Sequence, residues 1–248
     1  MIKIGLIGFG KAGSAVAQVL SADPRFDLRW IAKRSSVIGA QTLVGSEIPI
    51  VGLDAVNFSG WLDIRPVDAI VDFSAPQSLA VYGEEVRRRK LMLVSAISAY
   101  DAEQLRYARS LGQDTRVLCS PNITLGINFL IMAAKLLRNI APFADVEILE
   151  QHFKEKSEVS GTAKKIAESL ELGSEKITSL RLGGIVGHHE VIFGFPYQTV
   201  RLTHDSIKRE AFGTGAAFAL GELALRDVGF YTFEDLLMKK LREQLSLA

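Results

Sequence analysis

Cysteine is almost absent from the sequence, which contains only Cys119 among 248 residues. A single thiol excludes an intramolecular disulfide and a zinc site built from cysteines, and it favours a reducing compartment. Long apolar runs are also missing, because the longest fall far short of the ~18 residues that cross a bilayer. Residues 1–5 already follow a strand pattern, from which we expect no signal peptide. These features predict a cytoplasmic protein that makes no membrane contact.

An excess of charge of either sign is missing as well. The sequence has 29 basic and 28 acidic residues and a formal net charge of +1, so it offers no broad cationic surface for nucleic acid. Hydrophobic residues make up 48% and charged residues 23%, a balance typical of globular chains and unlike that of disordered ones. We therefore expect a folded protein that does not bind nucleic acid.

The first half of the sequence alternates short apolar segments with helical patterns. Alanine and valine recur at helical spacing over residues 11–20, and the pattern ends at Asp23 and Pro24. Five segments are predicted to be strands, at residues 3–8, 26–32, 69–73, 91–94 and 116–118. Apolar strands joined by helices form parallel sheets that are covered on both faces. We therefore predict an α/β domain with a Rossmann-type, doubly wound parallel sheet.

The pattern changes after Pro121. The sequence predicts a long apolar helix from Leu125 to about Ile140, a strand over residues 146–152, and a helix that starts near residues 160–162. Three β-rich segments follow without a crossover helix, at residues 180–182, 190–193 and 198–202. This order predicts a second, α+β domain that carries a mixed or antiparallel sheet. We expect the helical stretch at residues 215–245 to return to the first domain.

A glycine-rich motif lies between the first strand and the first helix. It has the form G-x-G-x-x-G and consists of Gly8, Phe9, Gly10, Lys11, Ala12 and Gly13. Its glycines permit a tight turn, close approach to a pyrophosphate and close packing of the helix on the strand, while the helix N-terminus offers free N–H groups. The motif in this position predicts a dinucleotide site. The alternative is a glycine-rich turn in some other α/β protein.

The end of the second strand bears on the choice of cofactor. An acidic residue usually holds the ribose 2′-hydroxyl of NAD there, but this sequence has Lys33 and Arg34, followed by Ser35 and Ser36. Two cations and two hydroxyls suit a 2′-phosphate, which favours NADPH while NADH stays possible. The alternative is that both cations belong to a solvated loop.

The densest group of chemically capable side chains lies between residues 150 and 163. His152 can deliver a proton near neutral pH, and Lys156 can neutralise a developing negative charge. Ser160, Gly161 and Thr162 open a helix, where hydroxyls and backbone N–H groups can hold a carboxylate. The alternative is a histidine at a strand end, a surface lysine and a plain helix cap at Ser160.

This stretch resembles the signature of the dihydrodipicolinate reductase family, which reads roughly E-x-H-H-R-x-K-x-D-x-P-S-G-T-A. Further segments agree with the family in order and spacing along nearly the whole chain, at residues 8–13, 71–74, 120–128, 184–190 and 229–237. The succession of these motifs is more specific than any one of them.

The resemblance implies functions for the two domains and for individual residues. Residues 1–123 and 215–248 would bind the dinucleotide, and residues 124–214 would bind the substrate and form a homotetramer through their sheet. His152 matches the catalytic histidine, which donates a proton, and Lys156 matches the catalytic lysine. The family transfers hydride from NADPH or NADH to a cyclic dicarboxylate, with Ser160, Gly161 and Thr162 as the carboxylate loop. The remaining cofactor contacts would come from Phe73, Ser74, Ser95, Ser98, Ser120 and Asn122.

The sequence also departs from the family pattern. Phe153 replaces the second histidine, Lys154 replaces the arginine, and the D-x-P stretch is one residue shorter at residues 158–159. The family's Gly-Thr-Thr-Gly loop, which contacts nicotinamide and substrate, is Ser-Ala-Ile-Ser at residues 95–98. Two alternatives therefore stay open: a diverged relative that acts on another imine or amino acid, and a catalytically silent NADP-binding sensor.

Two further sets of residues are expected to be structural. His188, His189 and His204 could suggest a metal site, but adjacent residues of a strand face opposite sides and no cysteine or acidic cluster accompanies them. Cys119 is expected to be a small core residue and not a nucleophile.

Overall fold

The computed structural model describes residues 1–34, 41–55 and 57–246, and it divides the chain into two units. The first unit comprises Met1–Thr124 and Phe212–Ala248, and the second comprises Leu125–Ala211. The divisions predicted from the sequence lie at 123/124 and 214/215. Within the described part of the chain, no helix is long and apolar enough to cross a membrane.

The first unit is built on one large sheet. Its described strands are β1 (Ile2–Ile7), β2 (Phe26–Lys33), β3 (Gln41–Thr42), β4 (Pro49–Gly52), β5 (Ala69–Asp72), β6 (Met92–Ser95), β7 (Arg116–Cys119) and β12 (Gly229–Tyr231). They lie in the order β12-β7-β6-β5-β1-β2-β4-β3, and their pairings are parallel except that between β3 and β4. The chain order reverses between β1 and β5, and ligands of such sheets bind outside the carboxyl ends of the strands at this point.

The helices of the first unit bury apolar side chains against its sheet or against one another. They are α1 (Lys11–Ala22), α2 (Phe58–Ile64), α3 (Leu79–Arg89), α4 (Ala102–Leu111), α7 (Glu210–Ala224) and α8 (Phe233–Leu245). One cluster of buried side chains joins strand residues such as Ile7 and Trp30 to Leu62 of α2 and Tyr82 of α3. Cys119 packs against this cluster, and burial raises the pKa of its thiol to about 12, so the thiol stays protonated and is a poor nucleophile.

The second unit packs two helices on a mixed sheet. Its strands are β8 (Asp145–His152), β9 (Ile177–Arg181), β10 (His188–Phe195) and β11 (Gln198–Asp205), in the order β11-β10-β8-β9. The strand β8 is antiparallel to β10 and parallel to β9. Helices α5 (Leu125–Ile140) and α6 (Gly161–Ser169) bury apolar side chains against Ile148, Val191 and Phe193.

The predicted fold class is confirmed, since the structure has a mostly parallel Rossmann-type sheet and a second unit with a mixed sheet. The prediction of one helical stretch over residues 215–245 is wrong. That stretch contains two helices, α7 and α8, separated by the strand β12, which pairs with β7. A strand of three residues is too short to produce a readable alternation, and Gly229 precedes its two aromatic residues.

A carboxyl group is fully buried where β5 ends. Asp72 accepts hydrogen bonds from the backbone N–H of Ser74, at 2.8 Å, and from the hydroxyls of Ser74 and Tyr82. Burial raises the pKa of Asp72 to about 6, although these hydrogen bonds oppose the shift. The folded chain therefore keeps a proton on Asp72 at a pH where an exposed aspartate has lost it.

Asp72 should make the stability of the chain depend on pH. Its stabilising effect is complete below the ordinary pKa of 3.8 and is lost as the pH rises through about 6, a change of about 3 kcal/mol. The variant Asp72→Asn cannot ionise, so between about pH 4 and about pH 7 the wild type should lose about 2 kcal/mol of unfolding free energy relative to the variant, most of the full change. Urea denaturation at both pH values measures the difference. The matched control Asp227→Asn, at an exposed position, should follow the wild type, and an unchanged difference for Asp72→Asn would contradict the prediction.

Candidate functional site

The glycine motif forms the turn between β1 and α1. Gly8 has a positive φ of 98°, and a Cβ atom on Gly13 would lie 2.0 Å from the carbonyl oxygen of Gly8, so both positions require glycine. Among the described residues, nothing lies within 4 Å of the place where a Cβ of Gly10 would stand. Gly10 is the N-cap of α1 and has no side chain to cap it. This open helix N-terminus fits the pyrophosphate of a dinucleotide.

A cavity of about 330 Å³ lies in the first unit, near the point where the strand order reverses. It has the size of a small-molecule site. Two of the predicted cofactor contacts, Phe73 and Ser74, line it where β5 ends, and Ser98 lines it beyond β6. Its other walls come from Ala12, Ala75, Pro76, Ala96, Ile97, Ala99, Pro121, Ile123 and Phe212.

Three other predicted cofactor contacts lie beside the cavity. Ser95 is fully buried, and its hydroxyl is bonded to that of Tyr100 at 3.0 Å. Ser120 is also buried and donates from its hydroxyl to the carbonyl oxygen of Asn122 at 2.6 Å. The hydroxyl of Ser95 thus holds the loop that follows β6, and the hydroxyl of Ser120 holds the loop that follows β7. Pro121, in the second of these loops, lines the cavity.

The two cations expected at the cofactor ribose lie at the end of β2. Lys33 is the last residue of the strand, and its ammonium group donates to the side chain of Gln41 at 3.2 Å. Arg34 follows it and is exposed. Ser35 and Ser36 lie outside the described residues.

The predicted catalytic residues belong to the second unit, where polar side chains form a row across the sheet. The register pairs Glu150 of β8 with Ser179 of β9 and with His189 of β10, and it pairs His189 with His204 of β11. His152 lies on the same face of β8 as Glu150, two residues further on, and is buried.

Glu150 is the centre of this row. It is fully buried and accepts hydrogen bonds from Arg181 at 2.7 and 3.0 Å, from Ser179 at 2.7 Å, from the backbone N–H of Ser160 at 3.2 Å, and from Nδ1 of His152. Burial alone would raise the pKa of Glu150, but these donors lower it to about 2. Glu150 is therefore ionised at neutral pH.

The predicted carboxylate loop begins at this row. Ser160 caps α6 by accepting from the N–H of Ala163 at 3.4 Å, and its hydroxyl is bonded to Nε2 of His189 at 2.9 Å. Burial is the main cause that lowers the pKa of His189 to about 4, and the neighbouring His152 and His204 lower it further. His189 is therefore neutral at neutral pH. Gly161 is exposed and Thr162 half-buried at the first turn of the helix, where backbone N–H groups favour an anion.

Lys156 lies in the loop between His152 and Ser160. Its backbone carbonyl accepts from Nε of Arg181 at 2.7 Å, and the same guanidinium donates to the carbonyl of Glu158 at 2.8 Å. Arg181 thus anchors the loop that carries Lys156 to the row that carries His152.

Sequence reasoning missed Glu150, Ser179 and Arg181 as members of this site. For Glu150 a signal existed, because residues two apart on a strand share a face. For Ser179 and Arg181 none existed, since the register that sets them beside β8 forms only in the folded sheet.

The remaining histidines divide between the two faces of β10. His189 faces Ser160, whereas His188 faces the other way and is bonded to Asp205 at 2.7 Å. Within residues 1–34, 41–55 and 57–246, no group of three or more His, Cys, Asp or Glu side chains is placed to hold a metal ion.

Comparison with known families and proteins covers both units. The family described as "Dihydrodipicolinate reductase, N-terminus" matches residues 2–123, and "Dihydrodipicolinate reductase, C-terminus" matches residues 122–237. Proteins named 4-hydroxy-tetrahydrodipicolinate reductase are similar along most of their length. That of Caldanaerobacter subterraneus is 28% identical over 93% of this chain and 95% of its own, and that of Thermosipho africanus is 29% identical over 95% and 98%.

Solved structures share the fold. A dipicolinate-bound dihydrodipicolinate reductase from Paenisporosarcina sp. TG-14 matches with a TM-score of 0.79 and 20% identity, over 94% of this chain and 97% of its own. An amine dehydrogenase from Mycobacterium smegmatis matches with a TM-score of 0.64 and 12% identity, over 94% and 95%. The resemblance read from the sequence is confirmed by the two family matches, which together span residues 2–237. The chain belongs to the dihydrodipicolinate reductase family.

Proposed function

We propose that this chain is an NAD(P)H-dependent reductase that converts 4-hydroxy-tetrahydrodipicolinate to tetrahydrodipicolinate, a step of lysine and diaminopimelate biosynthesis. The observation that carries the proposal is the match of both family halves to one chain, at residues 2–123 and 122–237. The names of its relatives support the same reaction.

The first unit would hold the cofactor, which supplies a hydride when it is bound. The turn of Gly8, Gly10 and Gly13 leaves the N-terminus of α1 open, and its N–H groups would bind the pyrophosphate. Phe73, Ser74 and Ser98 line the neighbouring cavity. Ser95, Ser120 and Asn122 would shape the adjacent loops, which supports their inclusion in the cofactor site.

The second unit would hold the substrate and move a proton. One carboxylate of the substrate would bind the hydroxyls and N–H groups of Ser160, Gly161 and Thr162 at the start of α6. His152 would donate a proton to the substrate, and Lys156 would stabilise negative charge that develops there. The reaction also releases the 4-hydroxyl group as water.

We propose further that the chain acts in the cytoplasm as a homotetramer. The sheet of the second unit supports this assembly, because α5 and α6 pack on its face that carries Ile148 and Val191. On its other face Leu149 and Ile192 are only partly buried. A face of this kind suits sheet-to-sheet association.

A coupled assay tests the reaction. The purified chain is mixed with the freshly made product of dihydrodipicolinate synthase and with NADPH, and the oxidation of NADPH is followed. We expect turnover that depends on the synthase product. Turnover with another cyclic imine but none with this product would favour a diverged relative, and cofactor binding without any turnover would favour a sensor.

His152→Gln and Lys156→Ala should each lower kcat by about 10²–10⁴-fold, because each removes a group that stabilises the transition state. NADPH affinity should stay within about twofold of the wild type, since both residues belong to the second unit. The same assay gives kcat, and fluorescence titration gives the affinity. The controls His188→Gln and Lys165→Ala change the same residue types at other sites of this unit, and they should keep wild-type kcat. Near-normal turnover of both test variants would contradict the assigned roles.

NADPH should bind more tightly than NADH, because the cations Lys33 and Arg34 at the end of β2 would attract a 2′-phosphate. Arg34→Ala should weaken NADPH by about 1.5 kcal/mol, the low end for a charge-assisted contact at an exposed site, or about tenfold. NADH should be unaffected. Titration of both cofactors measures this, with the exposed Arg106→Ala of α4 as the matched control. Equal affinities of the wild type for the two cofactors would overturn the preference.

Pyridine-2,6-dicarboxylate should inhibit in competition with the substrate. Thr162→Val keeps the shape of the side chain but removes its hydroxyl. Binding of the inhibitor should therefore weaken by about 1–3 kcal/mol, which is measured as a higher inhibition constant. The control Thr178→Val, at an exposed position of β9, should leave the constant unchanged. The carboxylate loop is assigned wrongly if the compound inhibits the two variants with the same inhibition constant.

A further inference from the structure

The contacts of His152 distinguish its two ring nitrogens. Nδ1 is hydrogen-bonded to the carboxylate of Glu150, while Nε2 faces Gly187, where an added Cβ would lie 3.2 Å away. About a tenth of the side chain of His152 is exposed. Because Nδ1 is covered by the buried Glu150, Nε2 is the nitrogen left for proton transfer.

The other contacts of Glu150 decide which of the two nitrogens carries the hydrogen. Arg181, Ser179 and the N–H of Ser160 all donate to its two oxygens. An ionised carboxylate only accepts hydrogen bonds, so the partner atom Nδ1 must donate. In the neutral ring Nε2 is then the unprotonated atom, and it gains the proton that the ring later delivers.

We propose that Glu150 is the positioning residue of His152: it fixes the Nδ1–H tautomer and sets the place of the ring relative to the carboxylate loop. The inference rests on the proposed function, because it gives His152 the role of proton donor. Glu150 itself does not act on the substrate.

The second part of the proposal follows from Ser160. The carboxylate of Glu150 binds His152 through one oxygen and the backbone N–H of Ser160 through the other. The proton donor and the first residue of the carboxylate loop are thus held by a single rigid group. Proton transfer requires such fixed geometry, since small displacements of a reacting group lower the rate strongly.

The groups around the ring are consistent with this assignment. Arg181 lies beside Glu150 on β9, and the N-terminus of α6 lies above it. On β10, the ring of His189 lies 5.4 Å from that of His152 and is neutral at neutral pH, and His204 of β11 is the cross-strand neighbour of His189. Lys156 is held by Arg181 through its backbone. Among these described neighbours, Glu150 supplies the acceptor for Nδ1.

The test uses nitrogen NMR of the full chain labelled with ¹⁵N-histidine. The sequence has four histidines, so His152→Gln assigns the ring signals of His152 by their loss. At a pH where the ring is neutral, we expect the wild type to carry its proton on Nδ1. In Glu150→Gln the tautomer ratio should shift toward Nε2–H, and kcat should fall by about 10²–10⁴-fold while NADPH affinity is unchanged.

Two further variants keep the test independent of stability. Glu147→Gln makes the same substitution on the opposite face of β8, where Glu147 pairs with Lys176 at 2.9 Å, and it should change neither the tautomer nor kcat. Glu150→Gln leaves the charge of Arg181 unpaired and can unfold the unit. The double variant Glu150→Gln with Arg181→Gln removes both charges together and should show the same shift of tautomer.

The outcomes separate this inference from the proposed function. A His152 tautomer that is unchanged in a folded Glu150→Gln variant, single or double, would overturn the inference, and so would a shifted tautomer with normal kcat in Glu150→Gln. A shifted tautomer together with reduced kcat supports it. If the wild type does not turn over the synthase product, the proposed function fails, but the NMR signals still decide whether Glu150 sets the tautomer.

Discussion

Burial of the charged Glu150 is the constraint that the candidate catalytic unit has to satisfy. A carboxylate removed from water loses several kcal/mol of solvation unless donors replace the water. Arg181 supplies both the opposite charge and two of the hydrogen bonds, at 2.7 and 3.0 Å. The remaining N–H groups of the same guanidinium hold the loop carbonyls of Lys156 and Glu158. The placement of β9, of the loop and of the start of α6 therefore depends on one ion pair.

Among the described residues, the two carboxylates with no exposed surface, Asp72 and Glu150, show what a cation changes. Asp72 is matched by uncharged donors, Ser74 and Tyr82, and burial raises its pKa to about 6. Glu150 is equally buried but is bound by Arg181, and its pKa lies at about 2. Asp72 can thus change its protonation near neutral pH beneath the loop that carries Ser74, while Glu150 keeps its charge and its geometry at any physiological pH. A fixed acceptor is what a tautomer requires, and only the second arrangement provides it.

Local sequence patterns predicted the elements whose burial repeats with a regular period. The helix predicted from Leu125 to about Ile140 is observed with those bounds, because its apolar residues recur at helical spacing. The strand β12 escaped prediction because three residues carry no period, and its place beside β7 depends on a pairing between residues far apart in the sequence. In the site, the glycine turn is readable since each glycine is required locally. Arg181 is not readable, because it reaches Glu150 across a strand pairing that only the folded sheet creates.

The loop after β6 differs in sequence from the family pattern. The family has Gly-Thr-Thr-Gly at this place, whereas here Ser95 bonds to Tyr100 and Ile97 is buried. The cavity wall at residues 96–99 therefore presents Ala96, Ile97 and Ala99 with one hydroxyl, that of Ser98. Apolar side chains of this kind exclude water but offer few hydrogen-bond donors. In the proposed function, a carboxylate of the substrate would bind at the start of α6, where Ser160 is held by Glu150 and His189. The Glu150 network would thus support substrate affinity as well as proton transfer, because the same carboxylate holds His152 and the backbone N–H of Ser160.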